Sequence, residues 1–506
     1  MKKLIILLTA LLVLGSACKK DFLSVNVTNP NSASIVPVDL VLPAALVSVT
    51  YFYDQPDYTS FAPLWFGWWS VSSGYSQPSN LKQYILTNSD YNNFWALSYE
   101  TLQNFDYVET NSTDPNMGGF RAIAKIMKAY MYQNLVDLYG NIPYSQALKA
   151  NQGILKPAYD KQQDVYEDLV VQLDTAMAII ARINPNTIAV GSNDIIYNGH
   201  MGMWAKFANT IKLRILMNQS GMTGRDGYIT TALATTASVG YLGAGEGATM
   251  NPGYIQSATK MNPFWENFYK QDNSQQPDAL AYYVAGQDAC DFMNTNNDPR
   301  ATRCFVKTAG GAIAGNYFGA AILQSPTLCS KLGPGLLQAY NQNAPVLTDF
   351  ESLFLQAEAA QRGYLTADPQ ALYESAVTQS IIYMGQQSFW DAPTYTPLTS
   401  TDAATYLAQA LPNVSWSASI DKIQAIITQK WLALMGQAPL SMYTDWRRTG
   451  YPNFLHFTQD ANKGNPTPPV RMLYPQSEIS TNNDNVVAQG NISLYTSKIF
   501  WQPSTK

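Results

Sequence analysis

The chain is poor in the side chains that most enzymes use for chemistry. It has two histidines, His200 and His456, in 506 residues. Neither lies in a His-Glu-x-x-His pattern, so no zinc-peptidase helix is present. A Ser-His-Asp triad would have to use one of them, and no Gly-x-Ser-x-Gly elbow accompanies either. A phosphate loop is missing too: Gly243-Ala244-Gly245-Glu246-Gly247 lacks the required spacing and reads as a turn. No local pattern nominates a glycosidase carboxylate pair. Charged residues are only 13% of the chain and the net charge is −5, so nothing suggests nucleic acid.

Cysteine is also scarce. Past Cys18, only Cys290, Cys304 and Cys329 remain, in no zinc-binding spacing. Cys304 could pair with either neighbour, and the sequence does not choose. The stretch Asn294-Thr295-Asn296-Asn297-Asp298-Pro299 is rich in oxygen but lacks the ligand order of a calcium loop, so a polar turn is expected. No cofactor is implied, with a structural calcium left open.

Long apolar runs are absent as well. The longest, Leu4 to Leu14, is about 11 residues, where a membrane span needs roughly 20. Lys2 and Lys3 precede it, and Gly15-Ser16-Ala17-Cys18 follows. Positive charge, a short apolar stretch and small residues make a secretory signal. A cysteine directly after the small residues makes it a lipoprotein signal, although Leu14 stands four residues before Cys18 rather than three. Residues 1–17 are therefore expected to be removed. Cys18 would carry covalent lipid, more than one acyl chain being needed for stable anchoring. Residues 18–50, punctuated by Asn29-Pro30-Asn31-Ser32, read as anchor and tether.

From residue 118 the pattern is helical. Phe120, Ile123, Met127, Met131, Leu135 and Leu138 recur at three and four, and Gly140 ends the run. Asp160 with Gln163 reads as a capping box before Val165, Leu169, Leu173 and Met177. Further helices are expected over 201–217, 349–362, 369–386 and 419–435. Residues 240–348 and 387–418 are rich in Gly, Pro and Asn and read as a loop-rich lobe; the helical scaffold falls mainly in 90–240 and 349–436. Paired amphipathic helices with short turns suggest stacked tetratricopeptide-type hairpins, a mainly α fold in one domain over 51–506.

Aromatics are plentiful, with 32 Tyr and 11 Trp. Trp65, Trp68 and Trp69 lie within five residues, with Tyr75 close behind. On an extended strand such rings cannot all point inward, because side chains alternate faces. Trp265 and Tyr269 form a second cluster near Tyr282 and Tyr283, and Trp390 and Tyr395 share a Pro-rich loop. A flat ring packs against the C–H face of a sugar while nearby amides bond its hydroxyls, at little entropic cost. Trp65, Trp68, Trp69, Tyr75, Trp265 and Tyr269 are the candidate ligand contacts.

Several phrases, in order, resemble the SusD/RagB family of outer-membrane lipoproteins. They include Cys18 to Leu23, Asp137-Leu138-Tyr139-Gly140-Asn141-Ile142-Pro143-Tyr144, and Trp204-Ala205-Lys206-Phe207-Ala208-Asn209 with Lys212-Leu213-Arg214. Asp298-Pro299-Arg300, Gln429-Lys430-Trp431, Asp445 to Pro452 and Arg471 to Pro475 continue the series. At 470–471 the family often has two basic residues, where this chain has Val470-Arg471. The resemblance implies about four tetratricopeptide-like helix pairs supporting a loop-rich ligand lobe. It implies a non-catalytic surface lipoprotein of the outer membrane. Such a protein captures oligosaccharide and acts as the lid of a SusC-like, TonB-dependent transporter. The same lid for oligopeptides is the alternative, and a surface hydrolase is the least favoured reading. Tyr139-Gly140 and Arg447-Arg448 are expected to be structural.

Overall fold

A computed structural model describes residues 36–54, 60–184, 186–276 and 278–503. The signal segment, Cys18 and most of the tether lie outside these residues. Helix α1 (Val38–Asp54) is the first element. Leu42, Ala45, Leu46 and Val49 are fully buried on it, at the three-four spacing of one helix face. The folded unit therefore begins by residue 38, and the expected tether over 18–50 is too long by its last dozen residues. Pro43 lies inside the helix.

The scaffold consists of α2 (Asn92–Asn111), α3 (Gly118–Tyr139), α4 (Gln162–Ile180), α5 (Met201–Asn218), α6 (Asp349–Gln361), α7 (Pro369–Met384), α8 (Lys422–Ala433) and α9 (Pro439–Thr449). Successive helices α1 to α5 pack on one another, as do α6, α7 and α8. Helix α5 also contacts α6, joining the two halves of the scaffold. The fold is mainly α, as expected, and most expected helix boundaries fall within three residues of those observed. Two local readings are corrected. Asp160 does not cap α4, which starts after Lys161. Its carboxylate instead accepts from the Tyr144 and Ser145 N–H groups at 3.0 and 2.8 Å, closing the turn beside Pro143. Helix α9 lies beyond the expected scaffold of 349–436.

Strands are few. β1 (Trp69–Val71) pairs with β5 (Tyr283–Ala285), β2 (Ile142–Pro143) with β3 (Tyr159–Asp160), and β4 (Ala248–Met250) with β6 (Ala344–Leu347), all antiparallel. The first and third pairs stitch the loop-rich lobe to the segment after α1 and to the start of α6. Among the described residues no helix is long and apolar enough to cross a membrane.

The buried family phrases do structural work. Arg447 donates to the Asp137 and Val470 carbonyls and lies 3.8 Å over the Tyr443 ring. Arg448 makes two bonds to Glu358, at 2.5 and 2.7 Å, and one to Asp445 at 2.7 Å. Asp298 accepts twice from Arg300, which also donates to Ser380 and Gln429, so the Asn294–Pro299 stretch is a turn committed to an internal arginine. Cys290, Cys304 and Cys329 are buried free thiols, and neither disulfide weighed from the sequence forms. Burial pushes the Cys304 thiol up to about 12. Iodoacetamide is therefore expected to leave these cysteines unmodified in the native protein and to label all three in denaturant, read by intact mass.

Candidate functional site

The first aromatic cluster faces inward. Trp65 and Trp68 are fully buried and Trp69 nearly so, which corrects their reading as exposed ligand platforms. The alternation argument assumed an extended strand. Instead Phe61–Trp65 is one turn of helix, and Gly67 (φ 67°) swings the chain before β1 begins. Helix, turn and strand together aim all three indoles at the core. The Trp65 indole donates to the Leu81 carbonyl at 3.1 Å and meets Tyr84 edge-on. A Cβ on Gly67 would stand 2.5 Å from the buried Asp288 carboxylate, in a backbone region that L side chains avoid. Gly67→Ala is expected to cost about 1–3 kcal/mol, read as a lower urea midpoint with unchanged helical circular dichroism.

Trp69 nevertheless seeds the surface site. Its ring stacks on Phe264 at 6.0 Å and tilts against Tyr283 at 5.7 Å. Tyr283 meets Tyr282, which meets Tyr75 edge-on at 5.6 Å. Tyr75 is half-buried and donates to Asp278 at 3.3 Å, so it remains at the surface as expected.

The second cluster is the main shelf. Trp265 is fully buried, so it too cannot offer its face directly. It lies beneath Trp390, with ring centroids 5.3 Å apart and planes 12° from parallel, and beside Tyr269 at 4.6 Å. Tyr269 and Trp390 are 4.7 Å apart, and Phe389 stands perpendicular to Trp390 at 5.0 Å. The outer rings are Trp390, 41% exposed, and Phe389, 49% exposed. Residues 125 positions apart thus build one double-layered shelf. Trp390 was noticed in the sequence, but only packing reveals that Trp265 is its floor.

The shelf is held rigidly. Asn262, fully buried, caps the turn bearing Trp265 by accepting from the Trp265 N–H at 3.0 Å, and donates to the Gln342 carbonyl. The Phe389 N–H donates to the Gln338 carbonyl at 2.7 Å. From behind, Arg303 grips the other loop. It makes two 2.8 Å bonds to Asp391 and one of 2.7 Å to the Gln386 carbonyl, and lies over Tyr395 at 4.3 Å. Burial opposes ionisation of Asp391, yet Arg303 and Ser388 hold its carboxyl below the usual range. Arg303 was missed in the sequence, where nothing marks it as the partner of residue 391. Arg303→Met is expected to weaken any ligand bound on Trp390 several-fold by loosening the 386–395 loop. Calorimetry on a folded variant checks this.

A cleft of about 260 Å³, lined by Thr249, Gln338, Asn343, Gln379, Tyr383 and Gln386, among others, connects to the shelf through Gln338, whose carbonyl holds the Phe389 N–H. The side-chain amides of Gln379 and Gln386 make no hydrogen bond to the protein among the described residues, so they are available to a ligand. The only ionisable acid or base on the cleft wall, apart from Tyr383, is Asp349. It is occupied by the Gly245 and Phe350 N–H groups. Among the described residues no group of His, Cys, Asp and Glu is placed to hold a metal ion. The site has flat rings, neutral amides and hydroxyls: it can stack and hydrogen-bond.

This geometry agrees with what the whole chain resembles. A family model described as SusD-like, starch-binding and associating with the outer membrane, matches residues 31–475. The chain belongs to the SusD-like family. Solved SusD-like proteins share its fold across nearly their full length. One from Bacteroides thetaiotaomicron is 23% identical over 92% of this chain and 99% of its own, with a TM-score of 0.73. A chitin-binding SusD homologue from Flavobacterium johnsoniae is 21% identical over the same shares, also at 0.73. A second SusD/RagB protein from Bacteroides thetaiotaomicron reaches 0.74 at 20% identity, over 92% and 99%. No curated protein matches the chain. The SusD-like family associates with the outer membrane and its role is glycan binding.

Proposed function

We propose that this protein captures a neutral oligosaccharide at the Trp390 shelf and hands it to a SusC-like, TonB-dependent barrel, for which it serves as a lid. The supporting observation is the stacked Trp265–Trp390 pair, in a loop whose Gln386 lines an amide-rich cleft. A sugar ring lies its C–H face on Trp390 and Phe389 while Gln379, Gln386 and Asn343 exchange hydrogen bonds with its hydroxyls. Arg303 is neutralised by Asp391, and no lysine or arginine lines the cleft, which favours uncharged over anionic glycans. The protein binds without turning over its ligand. A lipid on Cys18 tethers it to the outer membrane.

Calorimetry of residues 19–506 against neutral and acidic oligosaccharides and peptides tests the reading. Saturable binding of one neutral glycan class without product release supports it. Binding confined to uronic-acid glycans or to peptides overturns it. Co-purification of a tagged chain with an outer-membrane barrel tests the lid.

A further inference from the structure

A groove of about 370 Å³ runs along α2 and shares no lining residue with the amide cleft. Trp95, Pro143 and Ala147 are its buried lining. Ile154, Pro157 and Leu155 form its outer side, and Leu155 is 76% exposed, an unusual amount for so apolar a side chain beside a recess. Lys149 and Glu478 also stand on the wall, and both already bond to the protein. Lys149 donates to the Ser145 carbonyl at 2.6 Å, and Glu478 accepts from Tyr159 at 2.8 Å and from Asn482 at 3.2 Å.

The described chain starts next to this groove. The Val36 N–H donates to the Tyr107 hydroxyl at 2.9 Å, and that hydroxyl donates to the Val36 carbonyl at 2.8 Å. Ala96, Tyr99 and Gln103 line the groove, and Tyr107 continues their spacing of three and four, so all four share one face of α2. Val36 is thus pinned one helical turn beyond the last α2 residue of the groove. Residues 19–35 precede it, and they include an alternating stretch: Leu23, Val25 and Val27 interleave with Ser24, Asn26 and Thr28. That is the pattern of an extended segment with one apolar face.

We infer that the groove is the seat of this chain's own segment Leu23–Val27, which lies outside the described residues. The lengths agree. Extended, 23–27 spans about 13 Å, and α2 from Ala96 to Gln103 spans about 10 Å. Residues 28–35 are more than long enough to cover the one turn back to Val36, and Asn29-Pro30-Asn31-Ser32 supplies a bend for the excess. Leu23, Val25 and Val27 then leave water together with Ile154 and Leu155. A segment joined to the fold by eight residues is present at high effective concentration, which favours it over a second copy or another protein. With Leu23 seated, only residues 18–22 separate the fold from a lipid on Cys18, so this face of α2 is held within about 18 Å of the anchor. The inference does not depend on the glycan reading of the shelf.

Hydrogen exchange of residues 19–506, read by mass spectrometry, tests it. Amides of 23–27 are expected to exchange at least about tenfold more slowly than an unstructured peptide of the same sequence. Leu23→Asp with Val25→Asp is expected to abolish that protection and to speed exchange over 147–155. Leu155→Asp changes only the groove, at a side chain exposed enough for the fold to tolerate it, and is expected to release 23–27 in the same way. Exchange over α3 stays as in the parent for both variants, which shows that each remains folded. Unprotected amides at 23–27 overturn the inference, as does protection that survives both variants. Protection that falls on dilution assigns the groove to a second copy, and protection seen only with a bound outer-membrane barrel assigns it to that partner; either result also overturns it.

Discussion

Trp390→Ala is expected to reduce oligosaccharide affinity by about ten- to a hundredfold while leaving the protein folded. The size follows from position: Trp390 is the outer ring of a stacked pair, and a central aromatic anchor commonly contributes 2 kcal/mol or more. The folded state tolerates the change because 41% of the side chain is already exposed. Trp68→Ala should behave in the opposite way. That ring is fully buried, so its loss costs about 3–5 kcal/mol of stability, and any effect on binding comes through unfolding. Calorimetry and urea denaturation on both variants separate the two roles. If Trp390→Ala binds the glycan normally, the shelf is not the contact surface. If Trp68→Ala is as stable as the parent, the inward assignment of the first cluster fails.

The second large effect lies in the scaffold. Arg448→Met is expected to cost about 3–5 kcal/mol, because it leaves a buried carboxylate without its main partner. Glu358 is 1% exposed, and Arg362 remains as its only other cation among the described residues. Burial alone would raise the Glu358 pKa, but Arg448 and then Arg362 more than offset it and hold the carboxyl near about 2, against 4.5 for the free group. The folded value is thus the depressed one. The pair's contribution is fully present above about pH 4.5 and is lost as pH falls from there towards about 2. Between those limits the parent should lose urea resistance on acidification more steeply than Arg448→Met, whose Glu358 is less depressed. Parallel curves for the two proteins would refute the assignment.

Much of the scaffold could be read from the sequence because its signal is periodic and local. The run from Phe120 to Leu138 and the Gly140 stop gave α3 to within two residues at its start and one at its end. The shelf was harder, for reasons that sequence cannot carry. Whether a tryptophan is floor or surface depends on what lies above it, and Trp390 reaches Trp265 across 125 residues. The Trp65–Trp69 reading failed on one backbone angle: Gly67 breaks the alternation on which it rested. Helix α1 was taken into the tether although Leu42, Ala45, Leu46 and Val49 keep a helical spacing around its one internal proline, Pro43. Arg303 carries no motif, since its role comes from partners on other elements.

The two-layer construction of the shelf separates two demands that proteins usually have to meet with one residue. Trp265 and its cap Asn262 hold the lobe together and face no solvent. Phe389 and Trp390 sit in a loop clamped from behind, and little packs on their outer faces. The exposed layer can be exchanged for other rings, or for polar side chains, without reopening the layer beneath. Two or three loop residues can therefore be edited at the surface of this shelf with the folding of the layer beneath left in place.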